Sequence, residues 1–90
     1  MKPAHTLTKS AQVGIYENRA YIARVYGDKI IVTAPYVRWE GGSGNYAERK
    51  VSVRDPVAVA AITREIADNA TDTAWSLIGG AIGDDYLIRA

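Results

Sequence analysis

The 90-residue chain has no cysteine and no phenylalanine, and only one histidine, one methionine and three prolines. Without cysteine there is neither a disulfide framework nor a thiolate metal site, and such a chain suits a reducing compartment. No hydrophobic leader follows Met1-Lys2-Pro3, so a cytoplasmic protein is expected. The single histidine, His5, lies in a polar stretch, which leaves no Ser-His or Cys-His pair to act as nucleophile and base. Asp84-Asp85, the only adjacent acidic pair, reads as a solvated turn. The remaining Asp and Glu follow no metal-ligand spacing, so neither metal nor cofactor is expected, and the chain reads as a non-enzyme. No apolar run is long enough to span a bilayer, so no membrane partner is expected.

The charge is present but unevenly placed. Residues 1–54 carry nine Lys/Arg and four Asp/Glu, while residues 55–90 carry two and six, so a formal net charge of +1 conceals +5 followed by −4. The basic part also holds six of the eight Tyr and Trp residues: Tyr16, Tyr21, Tyr26, Tyr36, Trp39 and Tyr46. Aromatics interleaved with cations suit a surface that meets an acidic partner. Hydrophobic residues at 48% are sufficient for one small globular domain, which at this length hides about 60–65% of its unfolded surface.

Periodicity divides the chain into a polar, flexible N-terminus (1–10), a β-meander (11–53), a helical layer (55–80) and a short edge strand (86–89). Tyr21 to Tyr26 and Lys29 to Ala34 are β-rich runs joined by Gly27-Asp28, which predicts a type II′ hairpin with Val25 opposite Ile30 and Ala23 opposite Val32. Val13 to Tyr16 reads as a further strand turning through Glu17-Asn18-Arg19. Pro35 cannot donate to a ladder. A bulge there would shift the inward side chains from even (Ile30, Val32, Ala34) to odd positions (Val37, Trp39). Gly41-Gly42-Ser43-Gly44-Asn45 then reads as a flexible loop in a second hairpin, with Arg38 opposite Glu48.

Asp55-Pro56 is a helix start, with Asp at N-cap and Pro at N1. Val59, Ile62, Ile66, Ala70, Ala74 and Leu77 recur at three- and four-residue steps and predict a buried stripe ending at Gly79-Gly80. Asn69 to Thr73 is weak, so the layer is one long helix or two short ones broken there, with Thr71 or Asp72 capping the second. The expected fold is therefore α+β in two layers: an antiparallel meander of three to five strands packed on this helical layer, with a short C-terminal strand.

Under these registers the outer sheet face presents Arg24, Tyr26, Lys29, Tyr36, Arg38, Tyr46 and Lys50 as candidate binding residues, alongside Ile22, Ile31, Glu40 and Glu48. The 41–45 loop adds Gly41, Gly42, Ser43, Gly44 and Asn45 as contact residues at a mobile tip. Three functions follow from such a face. A small inhibitor or adaptor would use Tyr and Arg anchors on a protein partner. A nucleic-acid-binding module would stack bases on the tyrosines and meet phosphates with Arg24, Lys29, Arg38 and Lys50, although no Phe-containing RNA-recognition run is present. A structural protein would bury the face in a homodimer, where the other two readings allow a monomer.

A short cysteine-free chain with a meander, Gly27-Asp28 and GGSGN turns, the Ala-rich segment DPVAVAAITREIADNA and a terminal YLIRA resembles, in outline, small phage-encoded anti-defence proteins, above all anti-CRISPR inhibitors. The resemblance implies a protein of the host-cell cytoplasm that blocks a CRISPR effector complex stoichiometrically, either sterically or where nucleic acid binds. It assigns no residues.

Overall fold

In the computed structural model, which describes residues 2–83, the elements run β1 (His5–Val13), β2 (Tyr16–Val25), β3 (Ile30–Glu40), β4 (Ser43–Val53), α1 (Pro56–Ala67) and α2 (Thr71–Ile82). The four strands form one antiparallel sheet in the order β1-β2-β3-β4, and the helices cover one face, as the α+β meander reading anticipates. The anticipated strand at 86–89 and the Asp84-Asp85 turn lie outside the described residues.

Residues 5–10 are not a loose arm. They belong to β1 and pair with β2 from His5↔Val25 to Ala11↔Arg19. The pattern is easily missed because β1 is an edge strand whose outward positions, Thr6, Thr8 and Ser10, are polar and whose inward positions include only one large apolar side chain, Leu7. The β1–β2 turn is Gly14-Ile15, not 17–19. Gly14 has φ +58 and Ile15 does not have positive φ, which is the type II′ pattern. Asn18, at φ 60, sits where the register shifts between Ala11↔Arg19 and Val13↔Tyr16, so a bulge bends β2 there.

The β2–β3 register is as anticipated, with Ala23↔Val32 and Val25↔Ile30. Gly27 does not adopt positive φ, however, so the connecting turn is not type II′. Pro35 causes no bulge: β3 and β4 pair without a break from Ile30↔Val53 to Glu40↔Ser43. The GGSGN segment is correspondingly tight, with Gly41 (φ 57) and Gly42 (φ 84) forming a two-residue type I′ turn while Ser43, Gly44 and Asn45 are strand. Arg38 therefore lies opposite Asn45, not Glu48, and Trp39 lies opposite Gly44.

Unbroken alternation in β3 puts Ile30, Val32 and Ala34 toward the helices and Thr33, Pro35, Val37 and Trp39 away from them. Trp39, expected in the core, is 71% exposed. The core joins Tyr21, Ala23, Val25, Ile30, Val32, Ala34 and Val53 of the sheet to Val59, Ile62, Ile66, Ala74, Trp75, Ile78 and Ile82 of the helices.

The helical layer is two helices. Asp55 Oδ2 accepts from Ala58 N at 3.1 Å and Pro56 occupies the first turn, as expected of that cap. The break comes from Asn69 at φ 60: Asn69 N donates to Ile66 O (3.0 Å) and Ala70 N to Glu65 O (2.8 Å), a Schellman motif with asparagine at its left-handed position. The cap of α2 is then Ala70, not Thr71 or Asp72, and no side chain bonds there. The helix also runs through Gly79-Gly80 to Ile82, so Trp75, Ile78, Gly79 and Ile82 are buried whereas Leu77 is half out.

Beyond Ile22↔Thr33 no β2–β3 pairing continues, and the two hairpins separate. Tyr16 of β2 nevertheless donates its hydroxyl to Gly44 O of β4 at 3.1 Å, across the intervening β3. It does so on the helix-free side, where Tyr46 and Val37 lie. The tip of the β1–β2 hairpin thus folds over the far end of that face. This explains why Thr33 and Pro35 are buried without any helix above them, and why Val13 is buried outside the main core.

Ile62→Ala should cost about 3 kcal/mol in urea unfolding, within the usual range for a fully buried branched side chain. Gly14→Ala should cost about 1–3 kcal/mol, because the added Cβ would lie 2.9 Å from Val37 Cγ2 at a positive φ. Gly27→Ala, with open space and no positive φ, should be neutral or gain up to about 1 kcal/mol. A large loss at Gly27 would mean that the turn is type II′ after all.

Candidate functional site

The seven candidate binding residues fall into three groups. Arg24, Tyr46 and Lys50 share the helix-free face. Arg24 is half-buried and donates through Nη1 to Thr33 Oγ1 at 3.4 Å, whereas Lys50, opposite Thr33, is exposed. Tyr26 and Lys29 flank the β2–β3 turn, with the ammonium 5.6 Å from the Tyr26 ring centroid. Tyr36 and Arg38 lie on the helix side of the sheet, in phase with Ile30, Val32 and Ala34, because no bulge reverses the strand. They do not join the others. Tyr36 holds the Arg49 guanidinium 4.2 Å over its ring, and Arg38 Nε pairs with Glu40 Oε1 at 2.8 Å on an exposed stretch. Exposed contacts of these kinds are worth at most about 1 kcal/mol each.

The second hairpin's turn is a tight two-residue tip, with Ser43, Gly44 and Asn45 in the strand, and the structure gathers around it residues that the sequence pattern did not bring together. The hairpin ends meet where Gly14 abuts Val37 and Tyr16 reaches Gly44. Tyr16 and Tyr46 stack at 5.8 Å between centroids, tilted by 50°, and the Arg19 guanidinium lies 4.0 Å over the Tyr46 ring. The Trp39 ring covers Gly44, its Cζ3 and Cη2 only 3.1 and 3.2 Å from where a Cβ would stand. A glycine opposite a tryptophan lets the indole lie flat on the strand. Ile15, at the apex of the β1–β2 turn, is 89% exposed. One end of the molecule therefore carries Ile15 and Trp39 in solvent, braced by Tyr16, Arg19 and Tyr46.

Ile15, Trp39, Tyr16 and Arg19 are the residues that sequence reasoning missed. Parity assigned Trp39 inward, and Ile15 looked like a strand residue. The Gly before Ile15 was the available turn signal.

Tyr46 sits in a mixed field. Desolvation pushes its phenol pKa above 10.0, and the hydrogen bond to Glu48 and that carboxylate's charge raise it further, while Arg19 opposes them. Burial raises the phenol pKa of Tyr21, whose ring packs 6.3 Å from Trp75. Elsewhere an open apolar groove of about 630 Å³ runs between the Gly27-Asp28 turn and α1, with Asp28 and Arg64 among its lining residues. A smaller groove of about 300 Å³ lies between α1 and α2. Among the described residues no three of His, Asp or Glu converge as metal ligands, and no helix is long and apolar enough to cross a membrane.

Both raised phenols are neutral in the folded state when their unfolded counterparts begin to ionise, so folding stability should be complete below about pH 10 and fall as pH rises beyond it. Urea midpoints measured at increasing pH above neutrality should drop less steeply in Tyr46→Phe than in the wild type. An identical slope would mean that the Tyr46 phenol does not contribute to the alkaline loss of stability.

No protein-family model, curated protein or solved structure matches the chain, so the functional reading rests on the geometry of this surface.

Proposed function

We propose that the chain is a small non-catalytic binding protein, an inhibitor that occupies a surface of a larger protein or nucleoprotein complex with the end at which its two hairpin tips meet. The observation that carries this reading is Trp39, 71% exposed next to a tight two-residue turn, with Ile15 at 89% in the neighbouring turn. Two large apolar side chains held in water contribute nothing to the core, and Trp, Tyr and Arg are the residue types that dominate binding energy when an interface covers them. Tyr16, Arg19 and Tyr46 hold the tips in place through their mutual contacts, so little ordering remains to oppose binding. Arg38 and Glu40, on the other side of the same tip, supply a polar rim of both signs.

The outline resemblance to anti-CRISPR inhibitors makes CRISPR effector complexes the first partners to test. Target-DNA binding by reconstituted effector complexes should be lost on stoichiometric addition of the protein. Trp39→Ala with Ile15→Ser should weaken that inhibition at least about tenfold while leaving the thermal midpoint within a few degrees. Full inhibition by the double variant would move the site elsewhere. A nucleic-acid binder would behave differently: direct affinity for DNA or RNA would fall steeply with salt and weaken in Arg24→Ala and Lys50→Ala.

A further inference from the structure

We propose that β1 is the interface of a two-fold symmetric homodimer, in which the β1 strands of two copies pair antiparallel about Thr8 and join the two sheets into one. This proposal stands apart from the binding-protein reading, which uses the opposite ends of the strands' hairpins and holds for a monomer or a dimer alike.

Among the described residues β1 has a strand partner on one side only, β2. An edge strand offers a row of unpaired backbone N–H and C=O groups, and proteins usually guard such rows with proline, bulges or clustered charge. Over His5–Ala11 this strand has no proline, no glycine and no register shift, and its one fully charged residue is Lys9. The other edge differs: β4 carries Glu48-Arg49-Lys50 at its middle, all exposed. Thr6, Thr8, Lys9 and Ser10 of β1 are themselves exposed.

The side chains make a second copy the fitting occupant. A two-fold axis through Thr8 sets Thr8 against its own copy and Thr6 against Ser10, hydroxyl against hydroxyl, on the helix-free face. On the helix face it sets Leu7 against Lys9 and His5 against Ala11. Each off-axis contact is made twice and the Thr8 pair once on the axis, as an isologous interface requires. Cross-strand hydroxyl pairs are favourable, the Lys9 stem can lie along the other copy's Leu7, and no like charges stand directly opposite. The chain has no acidic residue before Glu17, so association brings the Lys9 residues of the two copies within two positions of one another along the paired strands, without compensating carboxylates from β1. Screening should therefore tighten the dimer as salt rises, the reverse of an edge that captures an acidic strand.

The absence of cysteine makes the test direct. In Thr8→Cys the introduced thiol faces its own copy across the axis at about 4.5–5.5 Å between Cα atoms, within the range a disulfide spans. Mild oxidation should give a covalent dimer in high yield, whereas Ser52→Cys on the exposed far edge should not. Sedimentation equilibrium of the wild type should show a monomer–dimer equilibrium that strengthens with added salt. In Thr8→Lys, which puts like charges on the axis, the dimer should weaken roughly tenfold or more with the monomer's fold unchanged by circular dichroism. A wild type that stays monomeric up to millimolar concentration would overturn the proposal, whether the edge is then open, covered by residues 84–90 or reserved for another protein. So would equal cross-linking at Ser52, a dimer untouched by Thr8→Lys, or one that weakens with salt.

Discussion

β2 and β3 share a register over Ile22–Val25 and Ile30–Thr33, and this short pairing is what makes one sheet of two long hairpins. It also centres the core. Ala23, Val25, Ile30 and Val32 from this segment lie under Ile62 and Ile78, all at or near zero exposure, so the two helices are anchored where the hairpins join. Away from it the hairpins are free to part. The bulge at Asn18 bends the β1–β2 hairpin, and its tip lies across the helix-free face, where Tyr16, Arg19 and Tyr46 fasten it to β4. The sheet is consequently covered by helices on one side and by its own hairpin on part of the other.

That second covering accounts for the surface that carries the proposed function. A small chain has little apolar residue to spare, and burying Val13, Thr33 and Pro35 beneath the folded tip leaves Ile15 and Trp39 on the outside of the same corner. Their exposure follows from local geometry. Ile15 occupies the second position of a tight turn and Trp39 lies flat on a glycine, and neither conformation offers the side chain a route to the main core.

Much of this fold was legible in the sequence where local chemistry dominates. Asp55-Pro56 marked the start of α1, the β2–β3 register followed from a two-residue connection, and the alternation of Ile30, Val32 and Ala34 identified the inner face. What was not legible depended on tertiary choices. Pro35 was compatible with a bulge or a straight strand, and the straight strand reversed the sides of Tyr36, Arg38 and Trp39 and split the candidate binding face. The register of β3 with β4 turned on whether Gly41-Gly42 or the whole GGSGN segment made the turn. The polar edge strand β1 carries too few apolar side chains to announce itself, and Asn69 stops α1 through a left-handed backbone that glycine more often adopts. The charge split survived as a basic sheet and a more acidic helical layer, but its cations are dispersed over both faces.

β3 runs without a bulge and therefore turns Trp39 away from the helices, onto the corner where the hairpin tips meet. Nuclear Overhauser contacts test this placement most directly. Cross-peaks are expected from the Trp39 indole to Gly44 Hα and from the Val37 methyls to Gly14 Hα. Contacts from the Trp39 indole to Ile62, Ile66 or Ile78 of the helices would contradict it.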